Sequence, residues 1–218
     1  MVDNSLSPHG GILVERLAFI EDGDTDALAR LPRAAVSDQI ARECVDIAYG
    51  FFSPIEGFMG QADLDSVARN MTLASGYVWS IPIVLDMPDA ELSRLEIKPG
   101  VLVLLTYQGQ PLATMEVSDV FSYDKVFLAQ QIYGTTDEAH PGVLRTYAYE
   151  DRFVAGDITL VNPPTINPPF DKYWMTPRQV RESLVEHGWS KVVAHQTRNV
   201  PHSGHEWLMK GAYLAAEA

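Results

Sequence analysis

The segment "NPPTINPPF", residues 162–170, holds four of the fourteen prolines. Each proline removes a backbone donor and biases the residue before it away from helix, so no helix or central strand can run through this stretch. It predicts a stiff connector, and whatever folds on either side must do so separately. A chain of 218 residues with 46% apolar and 21% charged residues is an ordinary globular length and balance that allows two small domains.

Before the connector, "SDQIARECVDIA" sets Ile40, Cys44 and Ile47 on one helical stripe, with Gly50 placed to end the helix. Further helices are expected near Asp63–Asn70 and Lys125–Ile132. "VWSIPIVLDM" and "GVLVLLTYQGQPLATMEVSDVF" are apolar and β-branched, and Gln108-Gly109 divides the second as a hairpin turn would. This half is expected to be a strand-rich α/β unit without repeats.

Beyond the connector, Thr176 is a predicted N-cap, Pro177 the first helical residue, Gln179 the partner that completes a capping box, and Gly188 the stop. "SKVVAHQT" then reads as a short buried strand, and "HSGHEWLMKGAYLAAEA" as a helix running to the end.

The formal charge of −13 opposes nucleic acid or anionic lipid, so an anionic ligand needs a local positive site. Residues 196–205 supply one. Gln196 and Arg198 alternate onto one side of an extended segment, and His202 and His205 stand at a helix entrance, where unpaired N–H groups and the helix dipole favour an oxyanion or polyphosphate. Simple capping is the alternative for the histidines. The spacing His202-x-x-His205-Glu206 matches none of the short zinc motifs, so no protein-bound metal is expected. The lone Cys44 cannot form an intramolecular disulfide, the first residues lack a secretory pattern, and no apolar run reaches membrane-spanning length; these features lead us to expect a cytoplasmic chain.

"QTRNVPHSGH" resembles the sulfate-binding and HxGH motifs of the ATP sulfurylase (sulfate adenylyltransferase) family. The similarity continues through "PHGGILVERL" (8–17), the stretch from Gly50 to Asp86 that begins "GFFSPIEGFMG", "YGTTDEAHPGV" (133–143) and "HGWSKVVAHQTRN" (187–199), in the family's order. The resemblance implies an α/β (α+β) chain with a β-rich PUA-like domain over residues 1–165 and the start of a Rossmann-like nucleotidyltransferase domain over 166–218. It implies the reaction of ATP with sulfate to give adenosine 5′-phosphosulfate and pyrophosphate, with Mg²⁺ arriving on ATP.

By that resemblance Gln196 and Arg198 bind sulfate, Thr197, Arg198 and Asn199 form the catalytic triplet, and Gln196 to Asn199 with His202 and His205 contact ATP. His140 is expected to be structural. Three positions depart from the family pattern: Val200 replaces proline, Ser203 an arginine and His195 a phenylalanine. Family members also continue past the point where this sequence stops, so a truncated catalytic domain is expected, from a parent that assembles as a homo-oligomer. The competing reading is a non-catalytic RNA-binding or structural fragment, which the charge disfavours.

Overall fold

The computed structural model describes residues 7–18, 25–163 and 165–217. The first six residues, on which the expectation of no secretory pattern rests, Pro164 of the connector and Ala218 at the predicted end of the last helix lie outside the described residues. Of the described residues, His9–Trp174 form one compact unit, and Ser7, Pro8 and Met175–Glu217 another.

The larger unit contains, in chain order, α1 (Thr25–Ala29), β1 (Arg33–Ala35), α2 (Asp38–Ala48), β2 (Gly57–Phe58), α3 (Gln61–Asn70), β3 (Leu85–Met87), α4 (Asp89–Leu95), β4 (Leu102–Tyr107), β5 (Gln110–Phe121), α5 (Lys125–Tyr133), α6 (Pro141–Tyr147) and β6 (Arg152–Leu160). The six strands form one mixed sheet in the order β1-β4-β5-β6-β2, with β3 also on β6. Only β1–β4 is parallel. The β4–β5 hairpin turns at Gln108 (φ 50°) and Gly109 (φ 77°), the pair of left-handed residues that a tight two-residue turn requires. Of the predicted strand in "VWSIPIVLDM", only Leu85–Met87 is laddered; Trp79 instead sends its indole N–H to the Ile81 carbonyl, and Val78 makes an isolated bridge to Thr72.

The predicted stripe of α2 is buried at Ile40, Cys44 and Ile47, and Ser37 caps the helix by accepting from the Ile40 N–H. These residues pack with Leu105, Leu112, Met115 and Ile158 of the sheet in one hydrophobic cluster. A fully buried leucine of this kind contributes about 2 kcal/mol relative to exposure. Burial pushes the Cys44 thiol up to about 12, so it is packing, not a nucleophile. No helix among the described residues is long and apolar enough to cross a membrane.

Around β6 the backbones approach very closely. A Cβ on Gly156 would lie 2.2 Å from the Glu116 carbonyl oxygen, and one on Gly57 would lie 1.9 Å from the Gly156 carbonyl oxygen. In the same region the β5–β6 register slips between Val117 and Asp119, a bulge that brings Gly156 opposite Val117. Gly156→Ala and Gly57→Ala are therefore each expected to lower stability by about 3 kcal/mol, since backbone atoms cannot move aside. Urea unfolding of the whole chain measures this, with Gly60→Ala as control, because its Cβ would meet only Ala155 at 3.8 Å.

Glu43 on α2 is a second source of tension. Its Oε1 accepts from Gln39, while Oε2 is buried without a partner, and burial first, then nearby Asp46 and Asp86, raise its pKa. Because the folded pKa lies above the unfolded one, the folded chain binds more protons, and stability falls as pH rises from the unfolded carboxylate value upward. Glu43→Gln is expected to remove this slope and to stabilise the chain at neutral pH. Thermal unfolding of both forms at a series of pH values checks the direction.

Candidate functional site

The smaller unit is built from two capped helices. In α7 (Pro177–Glu186), the Thr176 hydroxyl accepts from the Gln179 N–H, and the Gln179 side chain accepts in return from the Thr176 N–H. This is the capping box expected from the residues at those positions. Gly188, at φ 68°, ends the helix as predicted.

The predicted strand over residues 190–197 is not a strand: the segment carries no regular secondary structure, and all its residues are exposed. Both the strand and its burial are thus corrected: the segment is apolar, but a strand exists only through a ladder, and among the described residues no neighbour pairs with it. The alternation that would turn Gln196 and Arg198 to one side therefore has no sheet to fix it. Both are exposed, and neither makes a hydrogen bond or ion pair with a described residue. The structure does not bring them together with the histidines through any contact.

It does bring together Thr197, Asn199, His202 and His205. Helix α8 spans Ser203–Glu217, so His202 is its N-cap and stands just outside the helix. His202 Nδ1 accepts from the Gly204 N–H at 3.1 Å, and His205 Nδ1 accepts from the His202 N–H at 3.2 Å. Two imidazoles thus perform the reciprocal exchange usually made by Ser or Thr with Glu or Gln. Their ring centroids lie 4.1 Å apart. The capping alternative raised for the pair is realised in the geometry, and it leaves the Nε2 atoms for other partners.

His205 Nε2 lies 3.2 Å from Thr197 Oγ1, which also accepts from the Asn199 N–H at 3.1 Å. His202 Nε2 has no partner among the described residues. Glu206, the carboxylate nearest in sequence, is held by Lys210 at 2.6 Å. The loop therefore offers an exposed guanidinium, an exposed amide and one open imidazole edge beside a helix N-terminus. That inventory suits a bound oxyanion.

Sequence reasoning treated His195 only as a departure from a pattern. Its ring stands edge-on to His205 with centroids 6.0 Å apart, and it lines a cavity of about 670 Å³ with Trp189, Lys191, Met209 and Tyr213. Alternation along 191–195 could have placed it beside Val193; nothing local could have signalled its approach to a residue ten positions later. His140, by contrast, caps α6 through Nδ1 and the Gly142 N–H, and stacks beside Tyr133.

Comparison with known proteins adds scale. Residues 6–163 match the family model described as a PUA-like domain, and residues 171–217 match the model described as ATP-sulfurylase. A sulfate adenylyltransferase of Archaeoglobus fulgidus is 36% identical over 94% of this chain and 50% of its own length. One from Cenarchaeum symbiosum is 39% identical over 96% of this chain and 53% of its own length. The chain thus spans about half the length of these relatives. Among solved structures, a chain titled hexameric APS kinase from Thiobacillus denitrificans superposes with a TM-score of 0.72 at 25% identity, over 96% of this chain and 38% of that one. Over more than half of its length the chain matches one model, and it belongs to the PUA-like domain family; residues 171–217 are similar to the ATP-sulfurylase family.

Proposed function

We propose that this chain supplies the N-terminal half of a sulfate adenylyltransferase, which converts ATP and sulfate to adenosine 5′-phosphosulfate and pyrophosphate. In this reading residues 1–165 form the PUA-like domain and 166–218 open the catalytic domain. The observation that carries it is the loop 196–205: an exposed Arg198 with no carboxylate partner, seated just before a helix whose cap is made of two histidines.

The chemistry requires such a loop. Sulfate is a weak nucleophile, and its attack on the α-phosphorus joins two anions, so catalysis depends on positioning and on neutralising charge. Arg198 presents a planar fork suited to two sulfate oxygens, with Gln196 donating to a third. Asn199 donates to phosphate oxygens within the Thr197-Arg198-Asn199 triplet. His202 donates from its open Nε2 edge, and His205 lies against it, on the side from which pyrophosphate departs. With Glu206 tied to Lys210, this loop offers no free carboxylate to an ion, which fits Mg²⁺ held by the triphosphate oxygens of ATP itself.

With a net charge of −13, the same residues must also draw anions through an unfavourable field, which makes Arg198 the residue on which affinity turns. The protein acts in the cytoplasm, where ATP is available, and the complete enzyme is a homo-oligomer; the hexameric title of the similar solved chain supports that assembly.

The test is the reverse reaction, formation of ATP from adenosine 5′-phosphosulfate and pyrophosphate, followed by a luminescent ATP assay. The 218-residue chain is assayed alone and mixed with a polypeptide covering the second half of the Archaeoglobus relative. Turnover is expected only in the mixture, and Arg198→Ala is expected to reduce it by about a hundredfold or more, as loss of a charge-stabilising donor does. Turnover that survives Arg198→Ala unchanged refutes the assignment.

A further inference from the structure

We propose that Thr197 is a positioning residue: its hydroxyl accepts the Nε2–H of His205, holds that imidazole in one tautomer together with the His202 N–H, and ties the 197–199 turn to the first turn of α8. The tautomer follows from the partners. His205 Nδ1 lies 3.2 Å from the backbone N–H of His202, a group that can only donate, so Nδ1 keeps its lone pair and the neutral ring carries its proton on Nε2. That proton faces Thr197 Oγ1 at 3.2 Å.

The threonine hydroxyl is then fully used. It accepts from His205 Nε2 and from the Asn199 N–H at 3.1 Å, and its own proton faces the Asn199 carbonyl at 3.4 Å. A hydroxyl has one donor and two acceptor positions, so none remains for a substrate atom while this arrangement holds. Thr197 therefore acts through His205 and through the backbone of Asn199. His202 is fixed by a different donor, the Gly204 N–H, and does not depend on Thr197.

The place of this pair in an ATP site rests on the function proposed above; the tautomer does not. Long-range ¹⁵N–¹H correlation spectra of the whole chain read the protonated nitrogen of each imidazole directly. His205 is expected to be protonated at Nε2 in the native chain, to become a mixture of tautomers in Thr197→Val, where only the His202 N–H still favours this form, and to regain the single tautomer in Thr197→Ser. His202 is expected to keep its own tautomer, set by the Gly204 N–H, in all three, which reports an intact α8 cap. A His205 signal that is the same in Thr197→Val, or that Thr197→Ser fails to restore, overturns the proposal.

Calorimetric titration of MgATP into each chain mixed with the second-half polypeptide of the Archaeoglobus relative provides the second arm. Binding is expected to weaken about fivefold in Thr197→Val, the equivalent of one net hydrogen bond, and to recover in Thr197→Ser. Equal affinity of the native and Thr197→Val chains removes the positioning role in binding. If MgATP binds none of the three while the tautomer follows Thr197, the ATP reading fails and the positioning role stands.

Discussion

Among the described residues burial stops at Val161, and the difference between the two units follows from that limit. Every buried side chain among the described residues lies at or before that position, in the cluster that α2, α3 and the β4–β5–β6 ladders enclose. The ladder between β5 and β6 is central, because β6 also receives β2 and β3 along its other edge. The glycines at 57 and 156 let these backbones close on one another, and a side chain at either would hold the strands apart. Residues 175–217 have no such core, and their helices are organised by local chemistry. Isolated helices of ten to fifteen residues are marginal in water, so the Thr176 box and the two-imidazole cap carry unusual weight there.

What could be read in the sequence matches this division. Features that depend only on near neighbours were legible: the stripe and cap of α2, the left-handed turn at Gln108-Gly109, and the Thr176/Gln179 box. Features that depend on a distant partner were not. The parallel pairing of Arg33–Ala35 with Leu104–Thr106 joins residues about seventy positions apart, and a three-residue strand has no periodicity to announce it. The same reasoning explains the error at 190–197. Hydrophobic alternation reports a preference for burial, whereas a ladder needs a second strand, and the local pattern cannot say whether one is within reach.

The candidate site shows the same limit at the scale of single atoms. Residue types and order in "QTRNVPHSGH" pointed to an anion, and the structure sets the rings of His202 and His205 4.1 Å apart at the entrance of α8. Spacing alone could not decide whether the pair served the helix or a ligand. Each imidazole has two nitrogens, and the structure divides them: the Nδ1 atoms serve the helix, and the Nε2 atoms face elsewhere. The structural and the functional readings are thus compatible, because they draw on different atoms of the same rings.

A second His-x-Gly in the chain makes the distinction sharper. At His140-Pro141-Gly142, as at His202-Ser203-Gly204, a histidine Nδ1 accepts from the glycine N–H two residues later, at 3.1 Å in both places. The glycines leave room for neighbouring rings: a Cβ on Gly142 would lie 2.6 Å from the Tyr133 ring, and one on Gly204 would lie 2.9 Å from the His202 ring, so either ring would have to shift. The cap by itself therefore says nothing about function. What differs is the surroundings of the remaining ring edge. His140 lies beside Tyr133, with centroids 5.0 Å apart, whereas His202 lies against a second imidazole that is itself held by Thr197. Arg198, one residue from that threonine, has no acidic partner to neutralise it. A pair of imidazoles and an unpaired guanidinium in an otherwise acidic chain set this cap apart from the one at His140, and they are the grounds on which we propose it for an anion.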